Sequence, residues 1–285
     1  MDPLRTSLLD LHHELRDEGM PLIVGGGLGL FLKRMHLIDR QTPTLFTELP
    51  EPRATNDIDL YLRVDVLASH ARTEALVAAI RRLGYEPLEE AKYLQWKRPV
   101  TVGGTTQEVK LDILVGPLGE KRAQLQVNPP RVRPKGKSVG FHAYKTDEAL
   151  FIEEQPVAVE VRGVLSGGTA YSANVFVPEA FPYLLMKLSA FADRKADARK
   201  DLGRHHALDA YAIIGMMTEA EYGRARELAV RCKNDPHYRQ VCAVVAEDFA
   251  STTSLGMLRM REHRLYRDDF RVNECIDVLG EIFTG

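Results

Sequence analysis

Asp57 and Asp59, one residue apart in Asn56-Asp57-Ile58-Asp59-Leu60, are the residues of this chain best spaced for chemistry. In an extended strand, side chains two positions apart leave the same face, about 7 Å apart at the backbone. Two carboxylates so placed suit a divalent cation, which takes oxygen ligands. A lone Asp-x-Asp is common, but a third acid, Asp112, interrupts the apolar run Val109-Lys110-Leu111-Asp112-Ile113-Leu114-Val115. A run of β-formers has no packing reason to hold a carboxylate. Three acids on adjacent strands are a set for two hard cations, and the chemistry that needs them is phosphoryl or nucleotidyl transfer.

A glycine turn, Val24-Gly25-Gly26-Gly27-Leu28, precedes the acids. A dinucleotide fingerprint would need a third glycine where Leu30 stands, so the Rossmann reading is weak. Glycines opening a helix let backbone N–H groups approach an anion, which assigns Gly25, Gly26 and Gly27 to nucleotide phosphate. Close strand–helix packing is the competing explanation. Further along, Lys187 falls on a helix face with Leu184, Leu185, Leu188 and Phe191, where an ammonium needs an anion. Asp209 sits similarly among Leu208, Ala212 and Ile213. Either these two pair, or Lys187 meets a triphosphate; the simpler alternative is a lysine snorkelling to water. His205 shares a helix face with Asp209. Lacking further ligands, His205 and His206 are read as phosphate contacts or packing residues.

The elements that must position these groups follow from periodicity. Residues 4–18 read as an amphipathic helix ended by Gly19, 21–24 as a strand, 28–37 as a helix and 39–55 as a proline-containing loop. The Asp57 strand is followed by a helix over 66–83, closed by Gly84. Residues 93–97 and 107–115 form strands around Gly103-Gly104, with further strands at 157–162 and 173–177. After Pro178 the pattern is helical to Ile282. The expected fold is an α/β N-terminal domain, residues 1–177, with a mixed sheet flanked by helices, followed by an α-helical C-terminal domain, residues 178–285.

Composition sets looser bounds. At 285 residues and 45% hydrophobic, the chain can bury a substantial core. No apolar run approaches the roughly 18 residues of a membrane span and no signal segment opens the chain, so no membrane partner and a cytoplasmic location are expected. Cys232, Cys242 and Cys275 are odd in number and widely spaced, which suggests neither a disulfide framework nor a zinc site. Net charge is −2, but residues 121–145 hold Lys121, Arg122, Arg131, Arg133, Lys135, Lys137 and Lys145 in what reads as a basic loop. Arg194, Lys195, Arg199, Lys200 and Arg204 form a second cluster. Each is a solvated face or a phosphate-backbone contact.

The Gly-Gly turn, Asp57-Ile58-Asp59 and Asp112 together resemble the core of the DNA polymerase β-like nucleotidyltransferase superfamily. Lys187-Leu188-Ser189-Ala190-Phe191, Asp193-Arg194, downstream Lys200-Asp201 and Asp209 are similar to the abortive-infection AbiEii family, whose MenT-type members are toxins. The resemblance spans about residues 25–214. It implies that Asp57 and Asp59 hold the catalytic metals, two Mg2+ ions with Mn2+ as an alternative, and that Asp112 is the third acid. It further implies that Lys187 engages the NTP triphosphate, that Asp209 completes the site and that Gly26 touches phosphate. Gly27 stands where the family usually supplies a hydroxyl, and the 37–55 connection is longer than in minimal members. The activity implied is Mg-dependent transfer of NMP from an NTP to an acceptor, the 3′ end of tRNA, by a toxin that a cognate antitoxin neutralises. Two rivals keep the same acids: a small-molecule, antibiotic-modifying nucleotidyltransferase, and a non-catalytic nucleotide-binding module. The base of the NTP is not legible.

Overall fold

A computed structural model of the chain describes residues 2–51, 53, 55–91, 93–136 and 140–283. Cα packing divides it into two units, one of Met1–Leu32, Ala54–Asp147 and Phe151–Pro178, the other of Lys33–Arg53, Glu148–Leu150 and Glu179–Gly285.

The first unit is built on a ten-stranded mixed sheet. Its strands are β1 (Ile23–Val24), β2 (Asp57–Leu62), β3 (Glu86–Pro87), β4 (Gln95–Val102), β5 (Thr105–Val115), β6 (Leu125–Asn128), β7 (Arg131–Pro134), β8 (Ala143–Lys145), β9 (Val157–Val164) and β10 (Ala170–Val177). They lie in the order β6-β7-β8-β5-β2-β1-β10-β9, with β4 also paired to β5 and β3 to β4. Strands β2 and β5 run parallel, placing Asp57 opposite Lys110 and Asp59 opposite Asp112. Alternation does the rest. Ile58, Leu60, Leu111 and Ile113 enter the core and are fully buried, so the intervening acids share the other face.

Helix α1 (Asp2–Leu15) packs on β4, β5, β9 and β10 through Leu4, Leu8, Leu11 and Leu15, whose three- and four-residue spacing makes one apolar stripe. Each fully buried leucine contributes about 2 kcal/mol. Helix α2 (Gly26–Asp39) follows β1 directly, so Gly26 and Gly27 form its first turn. The helix expected over 66–83 is two, α3 (Val64–Ala68) and α4 (His70–Arg82), broken at Ser69. Ser69 takes an extended conformation and its Oγ accepts from the Arg72 N–H, so this serine starts a helix inside a continuous apolar pattern. Gly103 and Gly104, both at positive φ, turn β4 into β5 as the sequence predicts.

The basic stretch departs from expectation. Residues 121–145 are not a loop: they hold β6, β7 and β8, in which buried Leu125 and Val132 alternate with outward Gln126, Arg131 and Arg133. A strand pattern this short, interrupted by prolines, is hard to separate from a loop by periodicity. Lys137 lies outside the described residues.

The second unit is helical: α5 (Ala180–Arg194), α6 (Arg204–Gly215), α7 (Glu219–Cys232), α8 (Pro236–Asp248), α9 (Leu255–Arg261) and α10 (Val272–Ile282). Helix α5 packs on α6, α7 and α8, which explains why ten of its residues are buried. Of the segment expected as a loop, residues 40–51 form one, pinned where the Leu45 and Phe46 N–H groups donate to the Met217 and Gly215 carbonyls. Cys232, Cys242 and Cys275 are buried free thiols. No helix among the described residues is long and apolar enough to cross a membrane.

Candidate functional site

The in-register parallel pairing of β2 and β5 brings Asp57, Asp59 and Asp112 onto one face of the first unit. The Asp112 Oδ2 accepts from Gln95 Nε2 at 3.0 Å, across from it on β4. Its Oδ1 is buried and lacks a hydrogen-bond partner among the described residues, as does the Asp57 Oδ1. Buried carboxylate oxygens are ordinarily satisfied, because leaving one bare costs about 1 to 3 kcal/mol. Burial, reinforced by the Asp59 charge and then Asp57, pushes the Asp112 carboxyl up to about 7, with the Gln95 hydrogen bond opposing. Near neutrality this group is divided between its acid and its carboxylate, and any cation brought to the face would shift it to the carboxylate.

The glycine turn meets the same face. Gly26 has a φ of +59°, and a β-carbon built on it would lie 1.7 Å from the Asp59 Oδ2. A β-carbon on Gly25 would lie 2.7 Å from the Tyr61 ring, and the Gly25 N–H donates to the Asp59 carbonyl at 2.8 Å. Close packing of turn against strand therefore accounts for these two glycines, as the competing explanation proposed. The packing partner of Gly26 is itself one of the acids.

Asp57, Asp59 and Asp112 are the residues that could offer oxygen ligands to a divalent metal. Among the described residues, no three His, Cys, Asp or Glu side chains form a group that could by itself hold a metal ion. Mg2+ does not ask for one, since it keeps several waters and is held by one or two carboxylates with substrate phosphates. Asp57 and Asp112, on neighbouring parallel strands, each carry a buried oxygen without a hydrogen-bond partner among the described residues, and Gly26 makes room for the Asp59 carboxylate.

In the second unit, Lys187 Nζ donates to the Asp209 Oδ2 at 2.7 Å, and Arg53 Nε approaches the same oxygen at 3.5 Å. Lys187 and Asp209 are 6% and 1% exposed, so Lys187 does not snorkel to solvent. Asp209, on α6, is reached by Lys187 from α5 and by Arg53, which sequence reasoning missed because nothing local marks Arg53. His206, also buried, contacts Arg194 through Nε2, and among the described residues its Nδ1 has no hydrogen-bond partner. Burial, followed by the charges of Lys187, His205 and Arg194, drives the His206 imidazolium far down. Burial and Arg53 bring His205 down to about 4. Both rings are neutral at physiological pH and lie 4.0 Å apart between centroids. The fixed charges here are Lys187, Arg53 and Arg194 against Asp209.

The two basic clusters differ. Lys195 pairs with Asp248, Arg199 with Asp197, and Arg204 with Asp201 and Glu262, so the second cluster is largely neutralised. In the first, Lys145 pairs with Asp147, while among the described residues Lys121, Arg122 and Lys135 make no ion pair. Two residues had no legible signal. Gln95 opens a strand where any polar residue would serve, and Lys33 finds its partner, Glu221, 188 positions away.

No protein-family model matches the chain. No curated protein matches it either. Among solved structures, it is similar to the antibiotic-resistance factor ANT(2'')-Ia, determined in solution, at 15% identity over 82% of this chain and 98% of that one, with a TM-score of 0.35. It is also similar to an antigenic nucleotidyltransferase-like protein from Paracoccidioides brasiliensis, at 13% identity over 99% of this chain and 94% of that one, with a TM-score of 0.43. Likenesses of this degree establish neither family nor activity.

Proposed function

We propose that this chain is a metal-dependent nucleotidyltransferase that moves a nucleoside monophosphate from an NTP to an acceptor hydroxyl. The observation that carries this reading is the pair of bare, buried carboxylate oxygens on Asp57 and Asp112, on strands whose register also aligns Asp59 with Asp112. Buried carboxylate oxygens are ordinarily hydrogen-bonded, and these two lie on the paired strands that also carry Asp59. Asp57, Asp59 and Asp112 would hold Mg2+, two ions in the full reading with Mn2+ as a substitute, and bound metal supplies charge against the phosphates and acidity to the attacking hydroxyl. The acceptor oxygen bonds to the α-phosphorus, the α–β bridging bond breaks, pyrophosphate leaves, and the hydroxyl proton passes to solvent. Gln95 fixes Asp112 so that Oδ1 stays open, and Gly26 leaves room for the Asp59 carboxylate. Gly25 to Gly27 are assigned a part in phosphate binding through backbone N–H groups of the first turn of α2.

Lys187 is assigned to the triphosphate and Asp209 to orienting Lys187. Support comes from the charges around Asp209, where Lys187 and Arg53 reach its carboxylate and Arg194 contacts neighbouring His206. The acceptor we favour is the 3′ end of tRNA, with the chain acting as a toxin under a cognate antitoxin. Lys121, Arg122 and Lys135, which make no ion pair among the described residues, support a polyanionic acceptor over a cationic small molecule.

The experiment is incubation with each labelled NTP, Mg2+ and total RNA, alongside Mn2+ binding followed by its paramagnetic resonance. Label should enter tRNA, and Asp57→Ala should lose both transfer and Mn2+ binding while remaining folded. Normal Mn2+ binding in Asp57→Ala removes the metal assignment. Label appearing in a small molecule instead would favour the antibiotic-modifying rival.

A further inference from the structure

The second unit contains a cleft of about 470 Å3, within the size range of small-ligand sites. One wall is the loop at Phe46–Glu51 and the other the turn between α9 and α10. Its floor is aromatic. Tyr211 and Phe270 stack at 4.3 Å with their planes 6° apart, Tyr266 meets Phe270 edge-on at 5.2 Å, and Phe46 lies 5.2 Å from Tyr211. Tyr266 and Phe270 are half-buried, so both remain open to the cleft.

The rim balances three acids, Glu48, Glu51 and Asp269, against three arginines, Arg264, Arg267 and Arg271. Most are spent on one another. Arg267 pairs with Glu48 and Asp269, while Arg271 pairs with Glu274 and donates to the Leu45 carbonyl. Among the described residues Glu51 and Arg264 make no ion pair, which leaves one carboxylate and one guanidinium of the rim not spent on another charge. A polyanion would require spare cations and a cationic sugar spare carboxylates, and the rim offers neither in excess. It suits a flat, neutral ring whose edge both donates and accepts hydrogen bonds.

We propose that this cleft binds a nucleobase, its ring against Tyr266 and Phe270 and its edge between Glu51 and Arg264. The base comes from a free nucleotide or from an unpaired position in single-stranded RNA. The proposal rests on the nucleotidyl-transfer reading for the presence of a base, but the binding can be measured without transfer.

The test compares the full chain's affinity for AMP, CMP, GMP and UMP with that for ribose 5-phosphate, and for a single-stranded RNA hexamer with that for its abasic counterpart. At least one base-bearing probe should bind about 10-fold or more tightly than its base-free partner, the worth of one stacked base. Monomers passing this comparison identify the free nucleotide as the source, and the hexamer alone identifies the strand. Tyr266→Ala should remove the preference, Tyr266→Trp should keep it, and Arg264→Gln should change the ranking among bases. Because Tyr266→Ala removes packing, the wild type is also photocrosslinked with 8-azidoadenosine and 4-thiouridine monophosphates and the adducts mapped. Adducts at 46–51 or 264–271 support the cleft. Adducts confined to other segments, equal binding of base-free probes, or an undiminished preference in folded Tyr266→Ala overturns it. Asp57→Ala separates the two readings, since it should abolish transfer and leave base binding at the cleft intact. Absence of transfer by wild type with every NTP would sink the enzymatic reading alone.

Discussion

Asp112 has one oxygen tied to Gln95 and the other bare in a buried setting, and that asymmetry makes its protonation a term in folding. Its folded carboxyl is raised to about 7 from an ordinary value of 3.8, mainly by burial. A group raised in this way gives its full stabilisation below the unfolded value and loses it as pH climbs through the folded one. Metal-free protein should therefore weaken between about pH 4 and pH 7, by on the order of 4 kcal/mol. Asp112→Asn should lack that component and gain on the wild type as pH rises, a difference read from urea unfolding at pH 4.5 and 7.5. Parallel profiles for the two proteins would show that Asp112 does not titrate as a buried acid. Gly26 allows a second measurement at this scale. Gly26 and Gly19 share a φ of +59°, but a β-carbon at Gly19 meets nothing within 4 Å while one at Gly26 strikes the Asp59 carboxylate. Gly19→Ala should cost about 1 kcal/mol for backbone conformation alone. Gly26→Ala should cost more and also abolish the melting-temperature rise that Mg2+ with NTP gives the wild type. Equal costs, with that rise intact, would mean that Asp59 moves aside freely and has no fixed part in the site.

Among elements, α7 shows how a cap becomes a tertiary joint. Thr218 and Glu221 form a capping box, a pattern readable in sequence as Thr-x-x-Glu. The same Glu221 carboxylate accepts from Lys33 on α2 at 2.5 Å and from the Ala180 N–H that opens α5. Three helix segments thus converge on one acid. Removing one member of a buried pair costs about 3 to 5 kcal/mol, because the other charge is left bare. Lys33→Met should destabilise the chain by roughly that much in urea unfolding, and Lys33→Met with Glu221→Gln should recover part of the loss. A single substitution within about 0.5 kcal/mol of wild type would mean water replaces the lysine there. What was legible and what was not follow the same division. Asp57, Asp59 and Asp112 stood out because carboxylates at alternating positions of apolar strands contradict their local pattern, and Lys187 stood out on its apolar helix face. Lys33, Gln95 and Arg53 contradict nothing nearby and take their meaning from distant partners. The 66–83 helix was read as continuous because apolar spacing persists through Ser69, whose capping role depends on backbone conformation. Strands β6 to β8 were hidden by prolines and by being too short for alternation to register.

At the scale of the molecule, a net charge of −2 conceals a sharply uneven distribution. No Asp or Glu occurs between Glu120 and Asp147, while seven lysines and arginines do. The folded chain pairs Lys195, Arg199 and Arg204 of its other basic cluster with Asp197, Asp201, Asp248 and Glu262, yet leaves Lys121, Arg122 and Lys135 exposed and without ion pairs among the described residues. Exposed cations of this kind contribute little to stability, and their removal should change the melting temperature slightly. Their contribution to a polyanion is different, because each phosphate contact releases counterions and steepens the dependence of affinity on salt. Replacing Lys121, Arg122 and Lys135 together by glutamine should weaken RNA binding and make the slope of log affinity against log salt shallower by about 2, at roughly 0.7 per lost contact on a single strand. Arg199→Gln with Arg204→Gln removes two cations already held by acids and should leave that slope nearly unchanged. The Mg2+ and NTP thermal shift should survive both sets, since neither touches Asp57, Asp59 or Asp112. If the two sets flatten the slope equally, RNA responds to total charge and residues 121–135 have no dedicated part. If neither does, the acceptor is not a polyanion, and the small-molecule rival takes precedence while the metal-binding acids keep their assignment.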